Sequence, residues 1–335
     1  MRVRINGAGI AGLTCAYEFA RRGARVEIID QRDEAGRGCS WFAGGMIAPW
    51  CEAESAEPLV LRLGQEALRF WAEHFPVARK GTLVVAPPRD RHELDRFARR
   101  TSAYEWVDAD AIAAHEPDLG GRFSRGLFFH EEAHLDPRAT VDALVRRLAG
   151  EMGVTFRLNE NADFSGAGVD VTLDCRGLAA RDVWPSLRGV KGEMVIVKAR
   201  DVTLSRPVRL LHPRIPVYIV PRAGNLFMIG ATMIENDEAG RITARSLIEL
   251  LNAAYTLHPA FGEAEVVEIG CDVRPAFPDN LPRIRRDGRI IRVNGLYRHG
   301  YLLSPSIARM TADLAFEDKI YPEVMHEDFS ERATA

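Results

Sequence analysis

The feature that most constrains the fold is a glycine-rich segment near the start of the chain. It reads Gly7-Ala8-Gly9-Ile10-Ala11-Gly12 and lies between a strand predicted at 2–6 and a helix predicted at 10–22. A second strand is predicted at 25–30, and it ends on Asp30. A tight β-α-β unit with this glycine spacing is typical of a Rossmann-like domain, in which the helix N-terminus faces phosphates.

Each glycine of this segment has a separate physical role. Gly7 permits the tight turn, Gly9 lets the backbone approach a pyrophosphate, and Gly12 lets the helix pack close to the sheet. The acid at the end of the second strand can accept hydrogen bonds from a ribose hydroxyl. The pattern predicts dinucleotide binding but does not distinguish FAD from NAD. The predicted cofactor contacts here are Gly7, Gly9, Ile10, Ala11, Gly12, Asp30 and Gln31.

The rest of the chain alternates strands and helices at both ends and is richer in strands in its middle. This pattern predicts a nucleotide-binding domain of α/β type that is interrupted by a second, α+β domain. Residues 36–49 are expected to form a loop. Asp136-Pro137 and Ser304-Pro305 each predict an N-cap followed by proline at the first helical position. Strands are predicted at 82–86, 154–158, 169–174, 194–198, 217–220, 226–230, 265–271 and 289–293, and helices at 58–75, 136–149, 243–257 and 304–317.

Length and charge are those of an ordinary enzyme. The 335 residues suggest about two domains, and the net charge of -3 gives no drive toward nucleic acid or an acidic membrane surface. The arginine-rich stretch 283–298 is interpreted as a solvated hairpin, with Arg298 excepted. No apolar run is long enough to span a bilayer, and the five scattered cysteines are expected to be reduced thiols. We therefore expect a cytoplasmic protein.

One segment matches a metal-binding motif but is not interpreted as a metal site. The segment His130-Glu131-Glu132-Ala133-His134 matches the H-E-x-x-H pattern of zinc proteases. That pattern binds zinc only on a helix, where both histidines share one face. Here a strand-like stretch precedes it and Asp136-Pro137 follows, which disfavours a helix. A strand-turn-strand is predicted instead, and no metal is expected.

Several further segments occur in a characteristic order after the fingerprint. Together they resemble the D-amino acid oxidase family and, within it, the glycine oxidases of thiamine biosynthesis. The resemblance covers nearly the whole chain. The segments are Ala43-Gly44-Gly45-Met46, 137–144, Val217-Tyr218-Ile219-Val220-Pro221-Arg222, Ile229-Gly230-Ala231-Thr232-Met233, Arg274-Pro275 and 294–305.

The resemblance implies a Rossmann-like FAD-binding domain made of 1–48, 135–190 and 265–335. A substrate domain built on an antiparallel sheet would comprise 49–134 and 191–264. The implied activity converts glycine, oxygen and water to glyoxylate, ammonia and hydrogen peroxide, through an imine that can supply thiazole synthesis. Proteins of this kind are homotetramers, so a homo-oligomer is expected, with a small amino acid and oxygen as its partners.

Four residues match the substrate-binding positions of the family. Arg274 matches the arginine that holds the substrate carboxylate, and a guanidinium suits that role because it can donate two parallel hydrogen bonds. Tyr218 matches the tyrosine whose hydroxyl meets the same carboxylate. Met233 matches a methionine beside the substrate carbon, and Arg298 an arginine near the flavin. The expected chemistry is hydride transfer from the α-carbon to flavin N5, without a side chain acting as base on carbon.

Further residues match the positions that surround the flavin. The resemblance implies non-covalent FAD, because Cys271 is one residue out of step with the covalent attachment site of sarcosine oxidases. A helix beginning near Ser304 would place its positive dipole end beside the flavin pyrimidine ring. The implied contacts are Ser40, Gly44, Gly45, Met46, Gly177, His299, Gly300, Tyr301, Leu302 and Leu303.

Three other interpretations of the sequence stay open at this point. The first is a flavin oxidase or dehydrogenase of another amine, such as sarcosine, a D-amino acid or proline. The second is an NAD-dependent dehydrogenase, and the third is a flavin-binding assembly protein without catalysis. Arg274 could instead be a surface strand residue, Tyr218 an ordinary strand aromatic and Met233 a core filler.

Overall fold

The computed structural model describes residues 1–214 and 216–325. The strands in these ranges are, in chain order, β1 Arg2–Asn6, β2 Arg25–Asp30, β3 Met46–Ile47, β4 Thr82–Val85, β5 Glu105–Asp108, β6 Arg125–Phe129, β7 Ala133–His134, β8 Thr155–Leu158, β9 Val171–Asp174, β10 Arg188–Lys198, β11 Val208–Leu210, β12 Val217–Arg222, β13 Leu226–Gly230, β14 Ile234–Glu235, β15 Glu265–Ala276, β16 Arg283–Asp287 and β17 Ile290–Asn294. The helices are α1 Ile10–Arg21, α2 Pro49–Glu52, α3 Pro58–His74, α4 His92–Arg100, α5 Ala109–His115, α6 Pro137–Gly150, α7 Ala244–Leu257 and α8 Gly300–Glu317.

The first of two compact units, unit 1, contains a six-stranded sheet. It comprises Met1–Trp41, Arg138–Gly189 and the described residues from Arg274 onward. The strand order is β16-β17-β9-β1-β2-β8. Strands β1, β2, β8, β9 and β17 run parallel, and β16 joins as an antiparallel edge. Because parallel strands need crossover connections, the helix α1 between β1 and β2 is a consequence of this topology.

Apolar contacts between α1 and α8 hold the helical layer of unit 1. Phe19 is completely buried, and its ring centroid lies 5.6 Å from that of Phe316. At the same end of the pair, Arg22 Nη2 lies 2.6 Å from Asp313 Oδ1. Burial of a side chain such as phenylalanine contributes roughly 1.5–3 kcal/mol. Packing rather than helix propensity therefore places α8 against α1.

The second unit, unit 2, is built on a larger and mostly antiparallel sheet. It comprises Phe42–Pro137 and Val190–Val273. The strand order is β14-β10-β13-β12-β11-β4-β6-β5, with β15 also paired to β10. Alternation along the strands separates two faces: Val195, Ile219 and Ile229 point into the core that α7 covers, whereas the residues between them point to the opposite face.

The structure confirms the predicted fold class and most of the predicted elements. The β-α-β start matches the expected positions, and the second unit carries the expected antiparallel sheet. The stretch around the H-E-x-x-H pattern is the predicted strand-turn-strand, formed by β6 and β7. The expected loop at 36–49 is interrupted by the short strand β3 and ends where α2 begins.

The predicted start of the last helix is wrong. Helix α8 begins at Gly300, so Ser304 is not its N-cap and Pro305 lies inside the helix. An internal proline costs about 3 kcal/mol because it removes one backbone hydrogen bond. Tyr301, Leu302 and Leu303 are all buried in the added turn, and burial at roughly 1.5–3 kcal/mol per large apolar side chain outweighs that cost.

The arginine-rich stretch forms the predicted hairpin, but the prediction that its arginines are solvated is wrong for two of them. β16 and β17 form the expected antiparallel hairpin. Arg283 and Arg292, however, are buried. Arg283 Nη2 lies 2.5 Å from Asp279 Oδ2, and Arg292 Nη1 lies 3.0 Å from Asp287 Oδ2. Buried guanidinium groups are stable only when they are paired in this way.

Candidate nucleotide and substrate sites

The three fingerprint glycines of unit 1 are required for different reasons. A Cβ at Gly7, whose φ is 109°, would overlap the carbonyl oxygen of Cys175, and a Cβ at Gly12 would overlap the carbonyl oxygen of Gly7. A Cβ at Gly9 would meet only Ser40 Oγ, at an ordinary 3.6 Å. The packing of the chain therefore explains the absence of a side chain at Gly7 and Gly12. At Gly9 it leaves an open cradle in which a phosphate group can approach the backbone.

Asp30 ties the fingerprint to the loop that follows β2. Its Oδ2 accepts the Ala8 N–H at 2.7 Å, and its Oδ1 accepts the Arg32 N–H at 2.8 Å. The loop is also held by a hydrogen bond from Gly36 N to Ala8 O at 2.8 Å. A carboxylate offers about four acceptor positions, so Asp30 keeps capacity for a ribose hydroxyl. The neighbouring Gln31 is exposed.

The N-termini of α1 and α8 lie side by side in unit 1. Ser40 Oγ accepts the N–H of Ile10 at 3.0 Å, and Ser40 O accepts the Tyr301 hydroxyl at 3.1 Å. A Cβ at Gly300 would lie 3.2 Å from Ile10 Cγ2. Each helix N-terminus carries about half a positive charge, so both helices favour an anionic group at this place. The positive end of α8 is located at Gly300 itself, five residues before Pro305, the predicted first helical residue.

The remaining predicted residues of unit 1 lie on neighbouring segments. Gly177 has a φ of 62°, its carbonyl accepts Asn294 Nδ2 at 2.8 Å, and a Cβ there would lie 3.8 Å from Pro275 Cγ. Arg274 precedes that proline on β15 and is half-buried. Arg298 is half-buried in the 3₁₀ turn Tyr297–His299. His299, Leu302 and Leu303 are buried.

In unit 2 the structure brings Tyr218 together with Gly44. A Cβ at Gly44 would lie 2.7 Å from Tyr218 Cε2, and one at Gly230 would lie 3.2 Å from the Tyr218 hydroxyl. The phenol of Tyr218 therefore packs closely against two glycines, and a side chain at either position would crowd it. Met233 lies beyond the end of β13 and is 52 % exposed.

Arg222 was not predicted as a site residue, yet it holds the loop at residues 43–45. Its Nη1 donates to Leu135 O at 2.7 Å and its Nη2 to Gly44 O at 2.8 Å. Gly45 has a φ of 74°, and a Cβ there would overlap Leu135 O. Met46 then pairs with His134 in the β3–β7 ladder. Arg222 follows Tyr218 by four residues on β12, so the period-2 pattern placed both on one face.

Two ionisable residues of the rejected zinc motif are buried in unit 2. Glu132 is 0 % exposed and accepts the Cys51 N–H at 2.7 Å. Burial raises the pKa of Glu132 to about 7, and the hydrogen bond from Cys51 limits the rise. Burial and the charge of Arg222 lower the pKa of His134 to about 4. Within 1–214 and 216–325, no group of three or more His, Cys, Asp or Glu could hold a metal ion.

The unit 1 residues fit a dinucleotide. The open cradle at Gly9 and the paired helix N-termini suit a pyrophosphate, and Asp30 suits a ribose. None of the helices in the described ranges is long and apolar enough to cross a membrane.

Comparisons with known proteins identify the family of the chain. The family model DAO, FAD dependent oxidoreductase, matches residues 2–314. A Rhizobium etli protein is 56 % identical over 96 % of this chain and 99 % of its own length, and its name describes a thiamine biosynthesis oxidoreductase, ThiO. The glycine oxidase of Geobacillus kaustophilus is 28 % identical over 93 % of this chain and 92 % of its own.

Solved structures support the fold, and at these identities they bear on the fold alone. The crystal structure of glycine oxidase from Geobacillus kaustophilus superposes with a TM-score of 0.83 at 24 % identity, covering 98 % of this chain and 99 % of that one. Iminodiacetate oxidase from Chelativorans gives a TM-score of 0.80 at 23 % identity, covering 96 % of this chain and 98 % of that one. The chain belongs to the DAO family of FAD-dependent oxidoreductases.

Proposed function

We propose that this FAD-dependent oxidoreductase oxidises a small amino acid, with glycine as the substrate. The observation that carries the proposal is the close packing of the Tyr218 phenol against Gly44 and Gly230. A phenol whose ring is packed in place can donate to a substrate carboxylate at low entropic cost. The names of two relatives, a glycine oxidase and a thiamine biosynthesis oxidoreductase ThiO, support the same substrate class.

The proposed roles follow from the chemistry of each side chain. Arg274 binds the substrate carboxylate with two hydrogen bonds, and Tyr218 donates a third. Met233 supplies an apolar contact beside the α-carbon, and Arg298 binds near the flavin. Bound FAD, held without a covalent link, supplies the acceptor that takes a hydride from the α-carbon. Positioning by these residues supplies the catalysis, and no side chain removes a proton from carbon.

The proposed overall reaction is glycine, oxygen and water to glyoxylate, ammonia and hydrogen peroxide. Loss of a hydride and a proton from glycine yields an imine, which water hydrolyses to glyoxylate and ammonia. Capture of that imine before hydrolysis would supply thiazole synthesis, and the thiamine role in the Rhizobium etli relative's name supports this. Homo-oligomeric assembly and a cytoplasmic location stay predictions.

The visible spectrum of the purified protein during anaerobic glycine addition tests the proposal. We expect a yellow protein that bleaches with glycine and regains its colour in air. A yellow protein that glycine leaves unbleached refutes glycine, and sarcosine, D-alanine and proline are then added to find the amine. If none of these amines bleaches the flavin, amino acid oxidation itself is refuted.

The carboxylate role of Arg274 is tested by Arg274→Ala. We expect the variant to keep its flavin and to need far more glycine, because loss of a hydrogen-bonded charge costs about 1.5–3 kcal/mol, or roughly 10- to 100-fold in affinity. Arg289→Ala, an exposed arginine of the same unit, is the matched control. Unchanged turnover of Arg274→Ala at low glycine would contradict the assignment.

A further inference from the structure

A fully buried carboxylate in unit 2 has no part in the proposed chemistry. Glu193 lies on β10 and is 0 % exposed. Its Oε1 lies 3.2 Å from Nζ of Lys191, which is also buried and which precedes it by two residues on the same face of the strand. Burial by itself would raise the pKa of Glu193, but hydrogen bonds from Ser246, Lys191 and Thr232 outweigh it and lower the pKa. The carboxylate is therefore charged at neutral pH.

Glu193 holds Thr232 through three hydrogen bonds. Its Oε2 accepts the Thr232 hydroxyl at 3.0 Å, and its own N–H donates to Thr232 Oγ1 at 3.0 Å. The N–H of Thr232 donates to Glu193 O at 3.2 Å. Thr232 directly precedes Met233. The backbone beside Met233 is thus held by a charged group, and hydrogen bonds to charged groups are the stronger class.

The same carboxylate also holds the residue at which α7 is capped. Glu193 Oε1 accepts the N–H of Thr243 at 3.2 Å. Thr243 is the N-cap of α7, and its hydroxyl accepts the Ser246 N–H at 3.2 Å. Residues 233–242 between these two anchors are mostly exposed. One buried side chain therefore ties together both ends of a ten-residue surface segment.

We propose that Glu193 is a positioning residue that sets the location of Met233 and thereby limits the size of the amine this protein oxidises. The inference rests on the proposed function, in which Met233 lies beside the substrate α-carbon. Methionine is flexible, so it can form a defined wall only if its backbone is held. Release of Thr232 lets this wall move away, and a larger side chain on the α-carbon then fits.

Four variants test this inference. Thr232→Val removes only the hydroxyl, Thr232→Ser restores it, and Glu193→Gln keeps the shape of the side chain without its charge. Glu116→Gln is the matched control: Glu116 is 1 % exposed, lies in the same unit and accepts Arg206 Nε at 2.7 Å and Ser205 Oγ at 2.8 Å. It therefore reports the effect of altering a buried carboxylate that holds a different segment.

Two measurements are made on the FAD-loaded variants. Hydrogen exchange followed by mass spectrometry should show faster exchange of amides 231–243 in Thr232→Val and Glu193→Gln, and parental exchange in Thr232→Ser and Glu116→Gln. The ratio of kcat/KM for glycine to that for D-valine should fall about tenfold in Thr232→Val and in Glu193→Gln. This is the effect expected for loss of one hydrogen bond to a charged group. The kcat for glycine should change less, since Arg274 and Tyr218, the proposed carboxylate ligands, are unaltered.

Specific results would overturn the inference. Unchanged exchange at 231–243 in both Thr232→Val and Glu193→Gln would show that the carboxylate does not hold the segment. Faster exchange with a parental ratio of glycine to D-valine would show that the segment does not limit substrate size. Failure of the parent protein to oxidise any amine would refute the proposed function and, with it, the size limit, while exchange still decides whether Glu193 anchors the segment.

Discussion

The buried carboxyl of Glu132 makes the stability of this protein depend on pH in a way that one substitution should reveal. Its pKa is about 7 in the folded protein, whereas an exposed glutamate has an ordinary pKa of 4.5. Between pH 4.5 and about 7, Glu132 therefore keeps its proton in the folded state. The unfolded chain then binds fewer protons, so the free energy of unfolding falls as pH rises from 4.5 to about 7.

The size of this effect follows from the shift. One pKa unit corresponds to about 1.4 kcal/mol, so the contribution of Glu132 falls by about 3 kcal/mol across the window. His134 works in the opposite direction. Its folded pKa is about 4 and the ordinary pKa of an exposed histidine is 6.5, so its contribution is complete above pH 6.5 and is lost as pH falls toward 4. In the parent protein the two slopes nearly cancel between pH 4.5 and 6.5.

Glu132→Gln removes one of the two slopes. We expect the difference in unfolding free energy between this variant and the parent to grow by about 3 kcal/mol from pH 4.5 to pH 7.5, in favour of the variant. Urea unfolding followed by tryptophan fluorescence, at fixed saturating FAD, measures the difference. Glu131→Gln is the matched control, because Glu131 is the exposed neighbour in the chain. A difference for Glu132→Gln that stays constant with pH would refute the reasoning.

Three further predictions concern the cofactor and the substrate. Gly9→Ala should keep the thermal stability of the apoprotein and lose FAD affinity, whereas Gly12→Ala, whose Cβ would overlap Gly7 O, should lose stability itself; apoprotein melting and flavin fluorescence titration distinguish the two. Tyr218→Phe should raise the KM for glycine about tenfold with little change in kcat, and Tyr255→Phe, an exposed tyrosine, should match the parent in steady-state assays. Acid precipitation should release all flavin into the supernatant; yellow colour retained in the pellet would contradict non-covalent binding.

The nucleotide fingerprint was predictable from sequence because its determinants are local. Gly7, Gly12 and Asp30 all lie in one β-α-β unit, and their spacing alone indicates the fold. The antiparallel second sheet was implied by the resemblance to the family, whereas strands such as β12 and β13 were predicted from their own residues. Placement of Arg274, Tyr218, Met233 and Arg298 at a substrate site depended on resemblance to a family and remains a prediction.

Tertiary packing decided what local pattern could not. Ser304-Pro305 has the form of a helix start, yet burial of the preceding turn against α1 extends α8 to Gly300. The hairpin arginines look alike in sequence, yet only the fold determines that Arg283 and Arg292 are buried and paired while Arg286 and Arg289 on the same hairpin face solvent.

The same holds for the carboxylates. The chain has 47 Asp and Glu residues, and nothing local marks Glu132 and Glu193 as fully buried ones. Their environments are assembled from residues distant in the chain: Cys51 donates a hydrogen bond to Glu132, and Thr232 and Thr243 donate hydrogen bonds to Glu193. The sequence by itself determined the nucleotide-binding fold, because that depends on local spacing, and the order of its motifs carried the resemblance to the family. The tertiary structure decided which charges are buried and which loops they hold, because burial depends on contacts between residues far apart in the chain.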